Sequence, residues 1–124
     1  TEVPEGRLPQ HPSRAQIDVA LEREAAAIRG TIPQNACLVA LCVEGRPHSS
    51  QELARLVRTW QDSAARHLVF VIGGSFGLAE SLKKEAKVRL SMSPMTFPHH
   101  LARVMVLEQI YRAFKINEGS SYHK

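Results

Sequence analysis

Residues 68–115 decide the fold, and they begin with Leu68-Val69-Phe70-Val71-Ile72-Gly73-Gly74-Ser75-Phe76-Gly77. Five consecutive apolar residues before a glycine-rich segment are typical of a strand that is buried on both faces and ends in a loop. A short helix over residues 78–86 follows, and its outer face offers Lys83, Lys84 and Lys87. An alternating strand over residues 88–92 comes next, with Arg89 and Ser91 on a polar side. The stretch continues with Ser91-Met92-Ser93-Pro94-Met95-Thr96-Phe97-Pro98-His99 and closes with a long amphipathic helix.

Two loops therefore leave the ends of two strands: the glycine loop, residues 73–77, and the 92–97 loop. In a parallel sheet these loops lie at the same edge, where open α/β proteins hold their ligands. We expect the functional site in the crevice between them.

The rest of the chain also alternates helix and strand. Ser13 with Gln16, and Ser49 with Glu52, have the spacing of capping boxes and predict two helices. Between these helices, residues 36–43 predict a second buried strand that ends in a turn at residues 44–47. The alternation predicts an α/β fold with a parallel sheet flanked by helices, in one domain that spans residues 1–124.

The last helix is more apolar than one buried face requires. Pro98 suits its first position. Its predicted buried face consists of Leu101, Val104, Met105, Tyr111 and Phe114. Three further residues widen the apolar arc: Val106, Leu107 and Ile110. An apolar arc of this width needs a second partner, so we predict a subunit interface along this helix.

Charge is distributed unevenly along the 124 residues. Residues 1–62 carry a net charge of −1, whereas residues 63–124 carry nine Lys or Arg and four Glu, a net charge of +5. This asymmetry indicates a polyanionic partner, nucleic acid first, although a solvated basic face explains the charge about as well. No apolar run approaches membrane-spanning length, and no signal peptide is recognised. Cys37 and Cys42 are predicted on opposite faces of one strand, where they cannot bond to each other, so we interpret them as buried thiols of a cytosolic protein.

The individual motifs allow more than one interpretation. The glycine loop lacks the spacing of a dinucleotide fingerprint or a P-loop, and by itself it is best explained as a tight turn. His99 and Arg103 lie one turn apart on one helical face, but a histidine at a helix start is often only a surface residue. No Cys, Asp or Glu lies beside His99 and His100, so a metal site is not expected.

Taken together, however, four segments resemble one family. They are Phe70-Val71-Ile72-Gly73-Gly74-Ser75-x-Gly77-Leu78, then Leu90-Ser91-x-Ser93-x-Met95-Thr96-x-Pro98-His99-x-Leu101, then Glu108-Gln109-x-Tyr111-Arg112-Ala113, and finally Tyr122-His123-Lys124. These segments are similar to the ribosomal RNA large subunit methyltransferase H family, which belongs to the SPOUT methyltransferases. The resemblance covers essentially the whole chain and is most specific in its C-terminal half.

The resemblance implies a fold with a deep C-terminal trefoil knot and a homodimer. It also implies methyl transfer from S-adenosylmethionine to N3 of a pseudouridine in 23S ribosomal RNA. The RNA would be bound as part of the large ribosomal subunit or of the whole ribosome. The family begins with a strand and a helix that have no counterpart here. We expect residues 1–4 to correspond to the end of the family's second strand.

The same resemblance implies the roles of particular residues. The cofactor-binding residues would be Leu41, Gly73, Met92, Ser93, Pro94, Met95, Thr96 and Phe97. His99 would be the catalytic contact or general base, with Arg103 placing a phosphate or a ring carbonyl. Arg103, Tyr122, His123 and Lys124 would bind RNA, with His123 and Lys124 reaching the partner subunit's site. Pro94 and His100 depart from the family's usual residues.

Two other function classes compete with an RNA methyltransferase. One is a non-catalytic RNA- or ribosome-binding module of the same fold. The other is a flavodoxin-like nucleotide binder, which the lack of an acidic residue to hold a ribose disfavours.

Overall fold

The structure is a computed structural model that describes residues 1–123. Residues 1–12 precede the first helix without forming a helix or strand. The elements that follow are α1 (Arg14–Thr31), β1 (Ala36–Pro47), α2 (Ser50–Gln61), β2 (His67–Ile72), α3 (Glu80–Glu85), β3 (Val88–Ser91) and α4 (His99–Asn117).

Both predicted capping boxes are confirmed. The Ser13 hydroxyl accepts from the Gln16 backbone N–H at 3.1 Å, and the Gln16 side chain accepts from the Ser13 N–H at 2.8 Å. Ser49 and Glu52 repeat the arrangement at the start of α2, with both distances 3.1 Å. Such caps stabilise a helix by about 1 kcal/mol each.

The three strands form a parallel sheet in the order β2-β1-β3, which confirms the predicted α/β class. The central strand β1 is buried on both faces, as predicted. Leu38 and Ala40 pack with residues of α1 and α3, whereas Val39 packs with residues of α2 and α4. In the described part of the chain β2 forms one edge of the sheet, so only Val71 in it is fully buried, although the sequence predicted burial on both faces.

The turn predicted at residues 44–47 is wrong, because β1 continues to Pro47 through a bulge. Leu41 and Arg46 both pair with Leu90 of β3, so the four residues between them leave the regular ladder. Gly45 allows this, since a Cβ there would lie 2.8 Å from the carbonyl carbon and oxygen of Arg89. Bulges often redirect side chains next to functional sites, and this one displaces residues 42–45 at the end of the sheet.

The polar side predicted for β3 is also wrong at Ser91. This residue is 2% exposed, and its hydroxyl donates to the Ser93 carbonyl at 3.1 Å. The hydrogen bond satisfies a polar group that would be costly to bury alone.

The predicted buried face of α4 is wrong as well. Its buried residues are Ala102, Val106 and Ala113. The large apolar residues that the sequence assigned to the core are exposed instead: Leu101, Val104, Tyr111 and Phe114. Small and large apolar residues repeat with the same period along α4, so periodicity could not distinguish its two faces. Pro98 is the residue before the helix rather than its first residue, and its carbonyl accepts from the Ala102 N–H at 2.9 Å.

Candidate active site

The two predicted loops face each other across a cavity of about 350 Å³ at the carboxyl end of the sheet. This volume lies in the range of small-molecule sites. The cavity gathers most of the predicted cofactor residues, together with His99: Leu41, Gly73, Met92, Ser93, Met95, Thr96 and Phe97. Pro94, which was predicted to join them, is exposed and lies outside the described lining.

The glycine loop is held by its own backbone. The Gly77 N–H donates to the Gly74 carbonyl at 3.1 Å, and Gly77 has φ +83°, which favours glycine. A Cβ on Gly73 would lie 2.5 Å from the carbonyl carbon of Gly77. Gly73 is therefore required by the close approach of the loop to itself, before any ligand is considered.

The 92–97 loop forms the opposite wall of the cavity. Ser93 fixes its course, because the Ser93 carbonyl accepts from the Ser91 hydroxyl and the Ser93 hydroxyl accepts from the Met95 N–H at 3.0 Å. Met95 itself is 71% exposed, so its thioether lies at the rim of the cavity. Phe97 is half-buried and leads directly into α4.

Among the cavity residues that were not foreseen from the sequence, three are titratable: Cys42, Glu44 and Lys83. Lys83 was predicted on the outer face of its helix, but its side chain is only 11% exposed. Its ammonium lies 2.5 Å from Glu44 and 3.2 Å from Glu80. A basic residue one turn after an acidic one was visible within α3, but the contact with Glu44 joins residues 39 positions apart and left no local signal.

The ion pair and the thiol have defined protonation states. Burial lowers the pKa of Lys83, but its hydrogen bonds to Glu44 and Glu80 outweigh this and leave the pKa raised. The hydrogen bond from Lys83 is the main cause of the lowered pKa of Glu44. Burial, with the nearby Glu44 charge, raises the pKa of Cys42. The cavity therefore presents a charged pair and a neutral thiol at physiological pH.

His99 joins this cavity to a second one. It is the first residue of α4, it is half-buried, and its ring lies 4.2 Å from the His100 ring between centroids. The second cavity, of about 550 Å³, is lined by His99, His100 and Arg103 on one side and by Glu5 and Glu24 on another. The structure thus brings His99 and Arg103 together along one cavity, with the glycine loop between the two cavities.

Tyr122 and His123 are docked on α4 of the same chain. Arg112 donates to His123 at 3.0 Å, and the Tyr122 hydroxyl donates to Glu108 at 3.1 Å. Arg112 also pairs with Glu108 at 2.6 Å. With a rise of 1.5 Å per residue, Arg112 lies about 20 Å along the helix from His99. Tyr122 and His123 are therefore far from His99 within one subunit, and Lys124 lies outside the described residues.

Two general findings complete the description of the site. Within residues 1–123, no cluster of three or more His, Cys, Asp or Glu side chains could hold a metal ion. In the same part of the chain, every helix is too short or too polar to cross a membrane.

Comparison with known proteins shows the family of the chain. The family described as "Predicted SPOUT methyltransferase" matches residues 1–123. The chain belongs to the SPOUT methyltransferase family.

Similar SPOUT methyltransferases carry the name ribosomal RNA large subunit methyltransferase H. The protein of this name from Pelotomaculum thermopropionicum is 42% identical over 122 residues, which cover 98% of this chain and 76% of the relative. That from Streptococcus mutans is 40% identical and that from Bifidobacterium animalis subsp. lactis is 44% identical, and each alignment covers 99% of this chain and 77% of the relative. The family resemblance recognised in the sequence is thereby confirmed.

Proposed function

We propose that this SPOUT methyltransferase transfers a methyl group from S-adenosylmethionine to N3 of a pseudouridine in 23S ribosomal RNA. The observation that carries the proposal is the cavity between the glycine loop and the 92–97 loop, with His99 at the point where it meets a second cavity. The names of the similar proteins support the large ribosomal subunit as the source of the substrate.

The cavity fits the proposed cofactor in size and in chemistry. Leu41, Ile72 and Phe97 offer apolar surface for an adenine ring, and the 92–97 loop offers backbone groups for its polar edge. The cofactor would supply an electrophilic methyl group on a sulfonium centre. The chain has to exclude water around that group and align it with the acceptor, which accounts for much of the rate in such displacements.

His99 is the residue we assign to the acceptor. N3 of a uracil ring carries a proton that must leave as the new nitrogen–carbon bond forms, and an imidazole within reach can accept it. His99 also begins α4, and the first backbone hydrogen bond of that helix is the one from Ala102 to Pro98. The free N–H groups of the first turn and the positive end of the helix dipole favour the negative charge that develops on the ring.

RNA binding is assigned to the basic half of the chain. Arg103 is exposed beside His99, where it can contact a phosphate or a carbonyl of the base. Tyr122, His123 and Lys124 are proposed to contact RNA from the partner subunit, because within one subunit Tyr122 and His123 lie at the other end of α4 from His99. Phosphate contacts of this kind weaken as salt is added.

The proposed assembly is a homodimer that packs through α4. Leu101, Val104 and Leu107 are 49–61% exposed and form an apolar stripe on the side of α4 that faces away from its own core. An exposed stripe of this kind is typical of an interface. We also propose that the chain after β3 passes through a loop to form a trefoil knot, on the basis of the family to which it belongs.

Transfer of a tritiated methyl group from S-adenosylmethionine to large ribosomal subunits tests the proposal. We expect His99→Ala to lower the rate at least about 100-fold, in line with general-base catalysis, while cofactor affinity stays unchanged. Arg103→Ala should weaken binding of the protein to the large ribosomal subunit and make the remaining binding less sensitive to salt. Full activity of His99→Ala would remove this residue from the mechanism. Failure of the wild-type protein to label ribosomes, 50S subunits or free 23S RNA would contradict the function.

A further inference from the structure

We propose that Glu44 and Lys83 bind the amino-acid end of the methyl donor, with Lys83 contacting its carboxylate and Glu44 its ammonium group. This inference rests on the proposed function, because it assumes that the 350 Å³ cavity holds an S-adenosyl compound. It adds two residues that belong to neither the glycine loop nor the 92–97 loop.

The composition of the cavity singles out this pair. Among the described residues that line it, Glu44 is the only carboxylate and Lys83 the only lysine or arginine, and most of the others are apolar or contribute backbone. An S-adenosyl compound has an apolar adenine at one end and a zwitterionic amino acid at the other. Because a buried charge must be paired, the zwitterion has one suitable place in this cavity.

The fold presents the two charges from different elements. The β1 bulge, next to the close contact of Gly45 with Arg89, directs Glu44 to the cavity. Lys83 reaches the same point from α3, and its backbone carbonyl accepts from the Arg89 side chain at 3.3 Å. The Lys83 side chain is 11% exposed while that of Glu44 is 53% exposed, so the pair has one anchored member and one that can move.

Charge complementarity then explains how a ligand is accommodated. In the structure the ammonium of Lys83 and the carboxylate of Glu44 satisfy each other at 2.5 Å. A zwitterion inserted between them offers each group a partner of opposite charge, so Glu44 can swing outward without leaving an unpaired charge. Glu80, at 3.2 Å from Lys83, keeps the ammonium in place during the exchange. A ligand without the amino-acid group leaves the ion pair between Glu44 and Lys83 intact.

Calorimetric titration with two neutral-sulfur nucleosides tests this inference. S-adenosylhomocysteine carries the zwitterion, whereas 5′-methylthioadenosine has the same adenosine and thioether without it. We expect Lys83→Met and Glu44→Gln each to weaken binding of S-adenosylhomocysteine at least about tenfold, as for lost hydrogen bonds to charged groups. Both variants should bind 5′-methylthioadenosine within about twofold of wild type, since the pair does not contact it.

The controls separate the possible outcomes. Lys84→Met changes the neighbouring exposed lysine of α3 and should leave both affinities unchanged. Retained binding of 5′-methylthioadenosine shows that a variant still forms the cavity. Equal effects of Lys83→Met and Glu44→Gln on the two nucleosides, or no effect on either, would overturn this inference and leave the proposed cofactor standing. If wild-type protein binds neither nucleoside nor S-adenosylmethionine, the proposed cofactor fails and this inference fails with it.

Discussion

Gly73 and Gly45 show how single residues determine the shape of the site. At each position a Cβ would approach backbone atoms within 2.8 Å, of Gly77 in one case and of Arg89 in the other. Backbone atoms cannot move aside as a flexible side chain can. These two glycines therefore set the course of the glycine loop and of the β1 bulge, and through them the positions of the cavity walls.

Replacement of Gly73 by Ala should consequently destabilise the protein. We expect a loss of about 1–3 kcal/mol in the free energy of unfolding, as for other overpacked positions, together with weaker cofactor binding. Gly30, near the end of α1, is the matched control, because nothing lies within 4 Å of the position of its Cβ. Gly30→Ala should stabilise by about 0.5–1 kcal/mol. Urea unfolding measures both changes, and equal stability of Gly73→Ala and wild type would contradict the loop geometry.

Helix α4 has two apolar faces, of which one is buried and the other is exposed. Ala102, Val106 and Ala113 form the face buried within the subunit, where small side chains allow close packing. Val104, which is 61% exposed and lines neither cavity, lies on the other face. A charge at Val106 would destabilise the fold, whereas a charge at Val104 tests association.

Val104→Glu is therefore expected to convert the proposed dimer to monomers without unfolding the protein, because the charge would be buried at the proposed interface. Val19→Glu is a matched control, since Val19 is 54% exposed on α1, away from α4. Sedimentation velocity at micromolar concentration measures the outcome, with circular dichroism as the check of folding. A monomeric wild type, or dissociation by both substitutions alike, would contradict an interface on α4.

Tyr122 and His123 are held on α4 by a hydrogen-bond network that is centred on Glu108. Hydrogen bonds from Arg112, and secondarily from Tyr122, lower the pKa of Glu108. Because the folded pKa is depressed, the docking contribution is present above the ordinary pKa of a glutamate and is lost only as pH falls through the lowered value. The Tyr122 N–H donates to the Ser120 hydroxyl at 3.2 Å, so we expect its hydrogen exchange to be slowed and constant between pH 5 and 8, after correction for intrinsic rates, and faster in Glu108→Gln across that range. Fast exchange in the wild-type protein would contradict docking.

For the whole molecule, the sequence predicted what depends on local pattern. The two capping boxes, the buried strand around Val39 and the pair of loops at the end of the sheet were all confirmed. Each follows from spacing within a few residues or from the rule that parallel strands end at one edge. The family resemblance then placed seven of the eight predicted cofactor residues on one cavity.

What the sequence could not predict depends on contacts between distant segments. The β1 bulge arises where residues 42–45 meet β3, and the partner of Lys83 lies 39 positions away. The faces of α4 were assigned wrongly because the helical periodicity indicates only that two faces are apolar. Which of the two faces is buried is decided by the packing of α4 against α2 and β2. Ser91 is similar, since its burial depends on a hydrogen bond to the Ser93 carbonyl.

We propose that the cavity beside His99 serves methylation of a pseudouridine in 23S ribosomal RNA. Mass spectrometry tests this proposal. Large ribosomal subunits that lack the methyl group are incubated with the protein and S-adenosylmethionine, and their RNA is then digested with a nuclease. We predict that one fragment gains the mass of one methyl group, that fragmentation places this group on N3 of a pseudouridine, and that His99→Ala yields far less of it. A methyl group on any other position, or an unchanged digest under conditions in which calorimetry shows the cofactor bound, would contradict the account.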